Sequence, residues 1–266
     1  MVTKDIRMGK LEMRALFALE EAEAGLVTSG QLAMLLHISS NRANKLAWQL
    51  TRKKRLIRIR KGVYLFAPMK AGPRGHWSEE SLALISQLLK DRPYYVGYWT
   101  ALNRYGLTEQ IPWVTQVVVT HRRRPFEAVG TRYDFIKVGR LGEWQEEKIA
   151  GRSVRLATRE QLIIDCLSHP EYCGGLVEVA KALWNGRKEI DWKKLESKAA
   201  SSNEAVARRL GFLLETLKLK PLKLKCRLAG WRWLDPSREK KAIEKAHKWK
   251  LLINMEPKAL VNWRES

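Results

Sequence analysis

The sequence has few of the residues that disulfide frameworks and metal sites require. Its 266 residues include only five histidines and three cysteines, Cys166, Cys173 and Cys226. An odd number of cysteines without close pairing argues against a disulfide framework and against a four-ligand zinc site. We therefore expect no metal ion and no cofactor, and a reducing cytoplasm is the simplest compartment for the chain.

Long apolar runs are missing too. No apolar stretch reaches the roughly 18 residues that a membrane-spanning helix needs, so we expect no segment that inserts into a membrane. The first ten residues lack the apolar core and the small-residue cleavage site of a secretory signal. Both absences favour a cytoplasmic protein.

Acidic residues are scarce as well. The chain has 28 aspartates and glutamates against 50 lysines and arginines, for a formal net charge of +22. Such an excess predicts a polyanionic partner, which is nucleic acid, an anionic membrane surface or an acidic protein. The hydrophobic fraction of 45% and the 11 tryptophans can fill real cores, so the chain is not a disordered polycation.

The chain divides once by composition. Prolines and glycines cluster at residues 68–75, which predicts a boundary between an N-terminal domain, 1–69, and a C-terminal domain, 70–266. Alternating apolar residues predict strands in the part 70–158, at 114–120, 133–138 and 154–157. Helical spacing dominates the part 159–266, at 161–168, 175–184, 192–199 and 204–217. We therefore expect an α+β protein whose second domain is mixed and mainly helical.

Three short helices are predicted before the boundary. Ser29 and Ser39 are suited to cap the second and third helices, and residues 37–39 form a short turn between them. Two short helices joined in this way are the core of a helix-turn-helix. The predicted inward positions of the three helices are Leu11, Ala15, Leu16, Ala18 and Leu19; Leu32, Ala33, Leu35 and Leu36; and Ala43, Leu46, Ala47 and Leu50.

A hairpin follows the third helix. Residues 56–60 alternate as a strand does, Lys61 and Gly62 make a turn, and residues 63–66 return. Three helices and this hairpin together predict a winged helix-turn-helix. Nine basic residues and no acidic one lie between Arg42 and Lys61, which predicts that this domain binds DNA.

The polar face of the third helix suits a major groove. Arginine can bind guanine with two hydrogen bonds, and asparagine or glutamine can bind adenine in the same way. Trp48 on the same helix is expected to pack inside the protein. The predicted DNA-binding residues of the helix, the helix–wing junction and the wing are Ser40, Asn41, Arg42, Asn44, Lys45, Gln49, Arg52, Arg58, Arg60 and Lys61.

Other polar clusters leave alternatives open. Residues 121–124, with three arginines in succession, are a second phosphate contact or a solvated loop. Arg208, Arg209 and the basic segment 218–227 are a second basic region for DNA or an acidic partner. The pair Gly174-Gly175 lacks the residues of a phosphate loop and is expected to start a helix. Acids that a nuclease might use are Asp134, Glu143, Glu146 and Glu147, but no carboxylate cluster stands out among them.

Several short motifs follow one another along the chain: Gly62-Val63-Tyr64, Tyr95 to Leu102, Tyr105-Gly106-Leu107, Pro112, Val154 to Asp165, Gly174 to Val179 and Arg208 to Glu215. Their order resembles that of the AbiEi antitoxin family of abortive-infection transcriptional regulators. The similarity runs from about residue 10 to Asn262, and Tyr105 stands where many members have histidine.

The resemblance implies a function beyond what the residues give. It implies a winged-helix repressor that binds inverted repeats in its own promoter. It also implies a C-terminal antitoxin domain, which counters a nucleotidyltransferase-like toxin of a type IV toxin–antitoxin system without a stable complex. The residues alone support a DNA-binding module joined to a domain that carries no recognisable catalytic motif. A DNA-targeted nuclease and a winged-helix protein-interaction module remain as alternatives.

Overall fold

Helices and short sheets alternate along the chain in the computed structural model. It describes residues 7–67, 81–89, 92–128, 131–149, 151–224 and 228–264, with the side chains of Arg60 and Ser81 outside the description. The fold is α+β, as the sequence predicts. The predicted boundary at 68–75 lies outside the described residues.

The first unit consists of three helices and three strands. β1 pairs antiparallel with β3, and β3 pairs with β2, which gives a sheet in the order β1-β3-β2. The three helices and the hairpin were predicted, whereas β1 was not, because three residues are too few to show alternation. The elements are α1 (Lys10–Glu21), β1 (Leu26–Thr28), α2 (Ser29–Leu36), α3 (Ser40–Arg52), β2 (Leu56–Arg60) and β3 (Val63–Phe66).

Side-chain caps set where α2 and α3 begin. The Ser39 hydroxyl accepts a hydrogen bond from the Arg42 amide at 3.4 Å, which confirms the predicted cap of α3. The predicted cap of α2 is wrong by one residue. Thr28 takes that position, accepting from the Gln31 amide at 3.1 Å, while Gln31 accepts from the Thr28 amide at 2.7 Å. This reciprocal pair satisfies two amides that a helix start leaves free.

The core of the first unit follows the helical spacing, with one exception. Leu35 is 41% exposed, since Leu32 and Leu36 alone form the inward edge of the two-turn helix α2. Leu11, Ala18 and Ala33 are half-buried. The predicted inward positions that are buried are Ala15, Leu16, Leu19, Leu32, Leu36, Ala43, Leu46, Ala47 and Leu50.

A six-stranded sheet follows, in the order β6-β7-β5-β4-β9-β8. Its two faces are both covered, because Val117 and Val119 pack in one apolar cluster with α4 while Val118 packs in another with the later helices. The three predicted strands are present, and β4, β6 and β8 add to them. The elements are α4 (Ser81–Leu88), β4 (Tyr94–Val96), α5 (Tyr98–Arg104), β5 (Val114–Val119), β6 (Phe126–Ala128), β7 (Thr131–Lys137), β8 (Trp144–Ile149) and β9 (Arg152–Ala157).

Four helices, all of them predicted, then cover one face of that sheet. They are α6 (Arg159–Ser168), α7 (Leu176–Asn185), α8 (Trp192–Ser201) and α9 (Glu204–Thr216). The part 159–266 is mainly helical, as predicted, but no α-helix lies in the described segment after Leu217. Pro221, Gly230 and Pro236 interrupt that segment, and a small sheet in the order β10-β12-β11 forms instead. Its strands are β10 (Arg232–Trp233), β11 (Glu244–Ala246) and β12 (Leu251–Ile253).

The helix α4 joins the first unit to the six-stranded sheet. Leu65 of β3 belongs to the same buried cluster as Leu84 and Ile85 of α4. The Leu26 amide donates a hydrogen bond to Gln87 Oε1 at 2.5 Å. The three-stranded sheet is therefore covered on its outer face, and this contact helps fix the orientation of α3 and the hairpin.

Candidate nucleic-acid interface

The outward face of α3 carries a continuous polar stripe. Asn41, Asn44, Lys45, Trp48 and Arg52 are all exposed and recur at spacings of three and four, so they lie on one side of the helix. The buried positions lie on the opposite side. Of the other predicted contacts on this helix, Ser40 and Arg42 are exposed in the first turn, and Gln49 is half-buried at the flank.

The hairpin β2–β3, here called the wing, projects two further cations. Arg58 and Lys61 are exposed. Gly62 has φ of 74°, a conformation that favours glycine. The carbonyl of Gly62 accepts a hydrogen bond from the Ser29 amide at 3.2 Å, which ties the turn to the start of α2. Arg60 pairs with Val63 in the sheet, and its side chain lies outside the described residues.

The basic residues of this region divide into an internal and an external group. Lys53 forms an ion pair with Glu12 at 2.6 Å, and Arg55 is buried. The exposed ones have no acidic partner among the described residues: Arg42, Lys45, Arg52, Lys54, Arg58 and Lys61. The outward surface of α3 and the wing is therefore positively charged without internal compensation, as a phosphate-binding surface is.

The expectation for Trp48 is wrong. Its side chain is 56% exposed at the centre of the α3 stripe, and the Arg52 guanidinium lies 4.9 Å from its ring centre. The sequence spacing predicts this exposure, since residue 48 is four residues from both Asn44 and Arg52 and therefore lies on the same helix face. An aromatic residue is more often buried than exposed, and that general preference misled the prediction.

The acids considered for nuclease chemistry are dispersed and paired. Asp134 accepts from Arg132 Nε at 2.9 Å. Glu143 lies between Lys194 at 2.5 Å and Lys198 at 2.9 Å, and hydrogen bonds from these lysines lower its pKa. The remaining two form their own pairs: Glu146 with Arg155, and Glu147 with Arg104. Nowhere in the described ranges do three or more histidine, cysteine, aspartate or glutamate side chains converge as a metal site would require.

The Gly174-Gly175 pair starts a helix, as expected. Gly175 precedes α7 with φ of 86°. The buried carboxylate of Asp235 accepts from the Leu176 amide at 3.3 Å and from the Ser237 amide at 2.9 Å. A carboxylate of the chain itself therefore occupies the position where a phosphate would bind at a helix start.

The second basic region is partly internal. Arg208 Nη1 donates to the Gly230 carbonyl at 2.8 Å, and Arg209 Nη1 donates to the Leu167 carbonyl at 2.7 Å. Both side chains are buried, and burial lowers the pKa of Arg209. These two arginines therefore stabilise the fold from inside and do not contribute to an exposed basic region for DNA or an acidic partner. The exposed bases of segment 218–224 are Lys218, Lys220 and Lys223, and residues 225–227 lie outside the description.

Tyr105, where the family motif departs, has a packing role. Its hydroxyl donates to the Ala157 carbonyl at 2.7 Å, and the Arg159 guanidinium lies 4.6 Å from its ring centre. The residue therefore links α5, β9 and the start of α6.

Throughout the described part of the chain, no helix combines the length and apolarity needed to cross a membrane.

Comparison with known proteins gives a fold and no family. No protein-family model matches the chain, and no curated protein matches it. The crystal structure of the RV2827C protein from Mycobacterium tuberculosis is similar, with a TM-score of 0.75 and 14% sequence identity. The match covers 98% of this chain and 97% of that chain. At this identity the likeness concerns the fold alone.

Proposed function

We propose that this chain is a DNA-binding transcriptional repressor whose first unit is a winged helix-turn-helix. One observation carries the proposal. Exposed cations and amide side chains lie together on the outward surface of α3 and the wing, and none of the described residues of that surface is acidic. Arginine and asparagine near the start of a recognition helix suit base edges, and wing cations suit phosphates.

The biological role that we propose extends this activity through the family resemblance. The chain acts as the antitoxin of a type IV toxin–antitoxin phage-defence system in the cytoplasm. It represses its own operon by binding inverted repeats, and it counters a nucleotidyltransferase-like toxin without a stable complex. A reading frame for such a toxin next to the gene would support this role.

The test is a binding titration of the full chain on a labelled duplex from its own upstream region. The triple variant Arg42→Ala, Arg58→Ala and Lys61→Ala removes three cations of the proposed interface. The control, Lys240→Gln with Lys241→Gln, removes two exposed cations outside it. Loss of binding in the triple variant, with binding kept in the control, supports the proposal. Equal losses of affinity in both variants would contradict the proposal, because binding would then depend on net charge alone and not on this surface.

A further inference from the structure

A hollow lined by arginines lies beside the wing. Its volume is about 510 Å³, and it is bounded by β2, α4 and the loop before β6. We call it the arginine hollow. Arg92, Arg122, Arg123 and Arg124 line it, and none of its described lining residues is acidic. A concave surface lined by several arginines, with no acid among its described lining residues, is suited to a phosphate group.

The floor of the hollow is apolar and holds one arginine in place. Phe126 and Phe135 stack with ring centres 6.0 Å apart, and the Arg123 guanidinium lies 5.1 Å from the centre of the Phe135 ring. A low-dielectric wall beneath cations concentrates their field toward solvent. Arg92, Arg122 and Arg124 are exposed at its rim and can adjust to a bound anion.

The hollow is continuous with the proposed DNA-binding surface. β2 is the edge strand of the wing sheet and lies beside β6. Ile59 of β2 lines the hollow, and the proposed wing contact Arg58 is its neighbour in the chain. Duplex DNA carries one negative charge per about 1.7 Å of its axis, so a duplex on α3 and the wing presents further phosphates close by.

We propose that the arginine hollow binds a backbone phosphate of the same DNA duplex that α3 and the wing contact. This inference rests on the proposed function and adds a contact from the second part of the chain. It assigns the segment 121–124 to phosphate binding, one of the two roles that its sequence permits. Phosphate contacts carry no direct sequence information, so we expect this contact to be independent of base sequence.

The test is a salt titration of DNA binding by the full chain, using fluorescence anisotropy with labelled mixed-sequence duplexes of about 15 and 30 base pairs. The variant Arg122→Gln with Arg124→Gln removes two exposed charges from the hollow, and Lys240→Gln with Lys241→Gln is the matched control. On the long duplex, we expect the slope of log affinity against log salt to flatten by about 0.9 for each lost phosphate contact. The control should keep the wild-type slope, and a duplex too short to reach the hollow should show a smaller difference.

A hollow variant with the same slope as the control on both duplexes overturns the inference. If Arg42→Ala and Arg58→Ala still weaken binding in that case, the proposed function stands and only the hollow is refuted. If the wild-type chain binds neither duplex, the proposed function itself fails. Hydroxyl-radical footprinting adds a second measurement, because loss of the contact should remove protection at one end of the protected region.

Discussion

The guanidinium of Arg52 lies 4.9 Å from the ring centre of Trp48, one helical turn before it, and both side chains are exposed on α3. Such a pair holds a cation and a flat apolar surface in one geometry, at a strength of about 0.5–1 kcal/mol for exposed sites. On a helix proposed for a major groove, the ring can contact thymine methyl groups and the cation can contact a phosphate.

We expect Trp48→Ala to weaken binding to duplex DNA by about 1 kcal/mol or more, since it removes the ring and frees the Arg52 side chain. Trp48→Phe should recover part of the affinity. Phe17→Ala is the control, because Phe17 is 62% exposed on α1, outside the α3 stripe. Fluorescence anisotropy with full-length proteins measures the affinities. A Trp48→Ala variant that binds as tightly as Phe17→Ala would contradict this role.

The buried carboxylate of Asp235 is expected to be a stability determinant. Asp235→Ala leaves the Leu176 and Ser237 amides without their acceptor, at a cost of about 1–3 kcal/mol. Urea unfolding followed by circular dichroism measures the free energy of unfolding. The control is Glu239→Ala, an exposed acid of the same loop. A loss no greater than that of the control would show that the carboxylate does not hold α7 in place.

Stability should also depend on Asp165. Burial raises the pKa of this carboxyl to about 6, against hydrogen bonds from Gln161 and Tyr95 that lower it. The folded pKa exceeds that of the unfolded chain, so the stabilising contribution is present below about pH 4. It is lost as the pH rises through 6, with a limit of about 3 kcal/mol for two pKa units.

Unfolding at pH 4.5 and pH 7.5 tests this expectation. Wild type should lose free energy of unfolding from pH 4.5 to pH 7.5 through ionisation of Asp165. Asp165→Asn, which cannot ionise, should lose less, so its stability relative to wild type should be higher at pH 7.5 than at pH 4.5. Glu256→Gln, an exposed acid, should change little in the same comparison. A difference between Asp165→Asn and wild type that is independent of pH would show that this carboxyl does not carry the effect.

Local sequence patterns predicted much of the fold. Features that depend on contacts between residues distant in the sequence could not be predicted in this way. The buried positions of α3 follow from helical spacing, since each residue's face is fixed by its neighbours in sequence. The burial of Arg208 has another origin. Besides its ion pair with Glu204 one helical turn before it, its guanidinium donates to the Gly230 carbonyl, 22 residues away, and no periodicity encodes that second partner. The exposure of Trp48 follows from helical spacing, whereas the general preference of aromatic residues for the interior predicts its burial.

Whether residues 1–69 form a separate domain also depends on a contact between residues distant in the sequence, that of Leu65 with α4. A fragment ending at residue 70 would leave Leu65 without α4, which packs against it. We expect the fragment 1–70 to fold but to bind more of an apolar dye and to melt at lower temperature than the fragment 1–90. Melting at the same temperature with equal dye binding would support an autonomous first domain. The boundary at residue 69 stays a prediction.

A salt titration on an operator duplex and a scrambled duplex with four variants tests the proposed DNA interface most directly. Asn44→Ala and Arg42→Ala alter the start of α3, and Arg58→Ala and Lys61→Ala alter the wing. The α3 variants should lose about 1–3 kcal/mol on the operator and little on the scrambled duplex. The wing variants should lose similar affinity on both duplexes, with a slope of log affinity against log salt flatter by about 0.9 for each lost contact.

Equal losses on both duplexes for the α3 variants, with operator-only losses for the wing variants, would reverse the assigned roles. Wild-type affinity in all four variants would contradict the proposed interface.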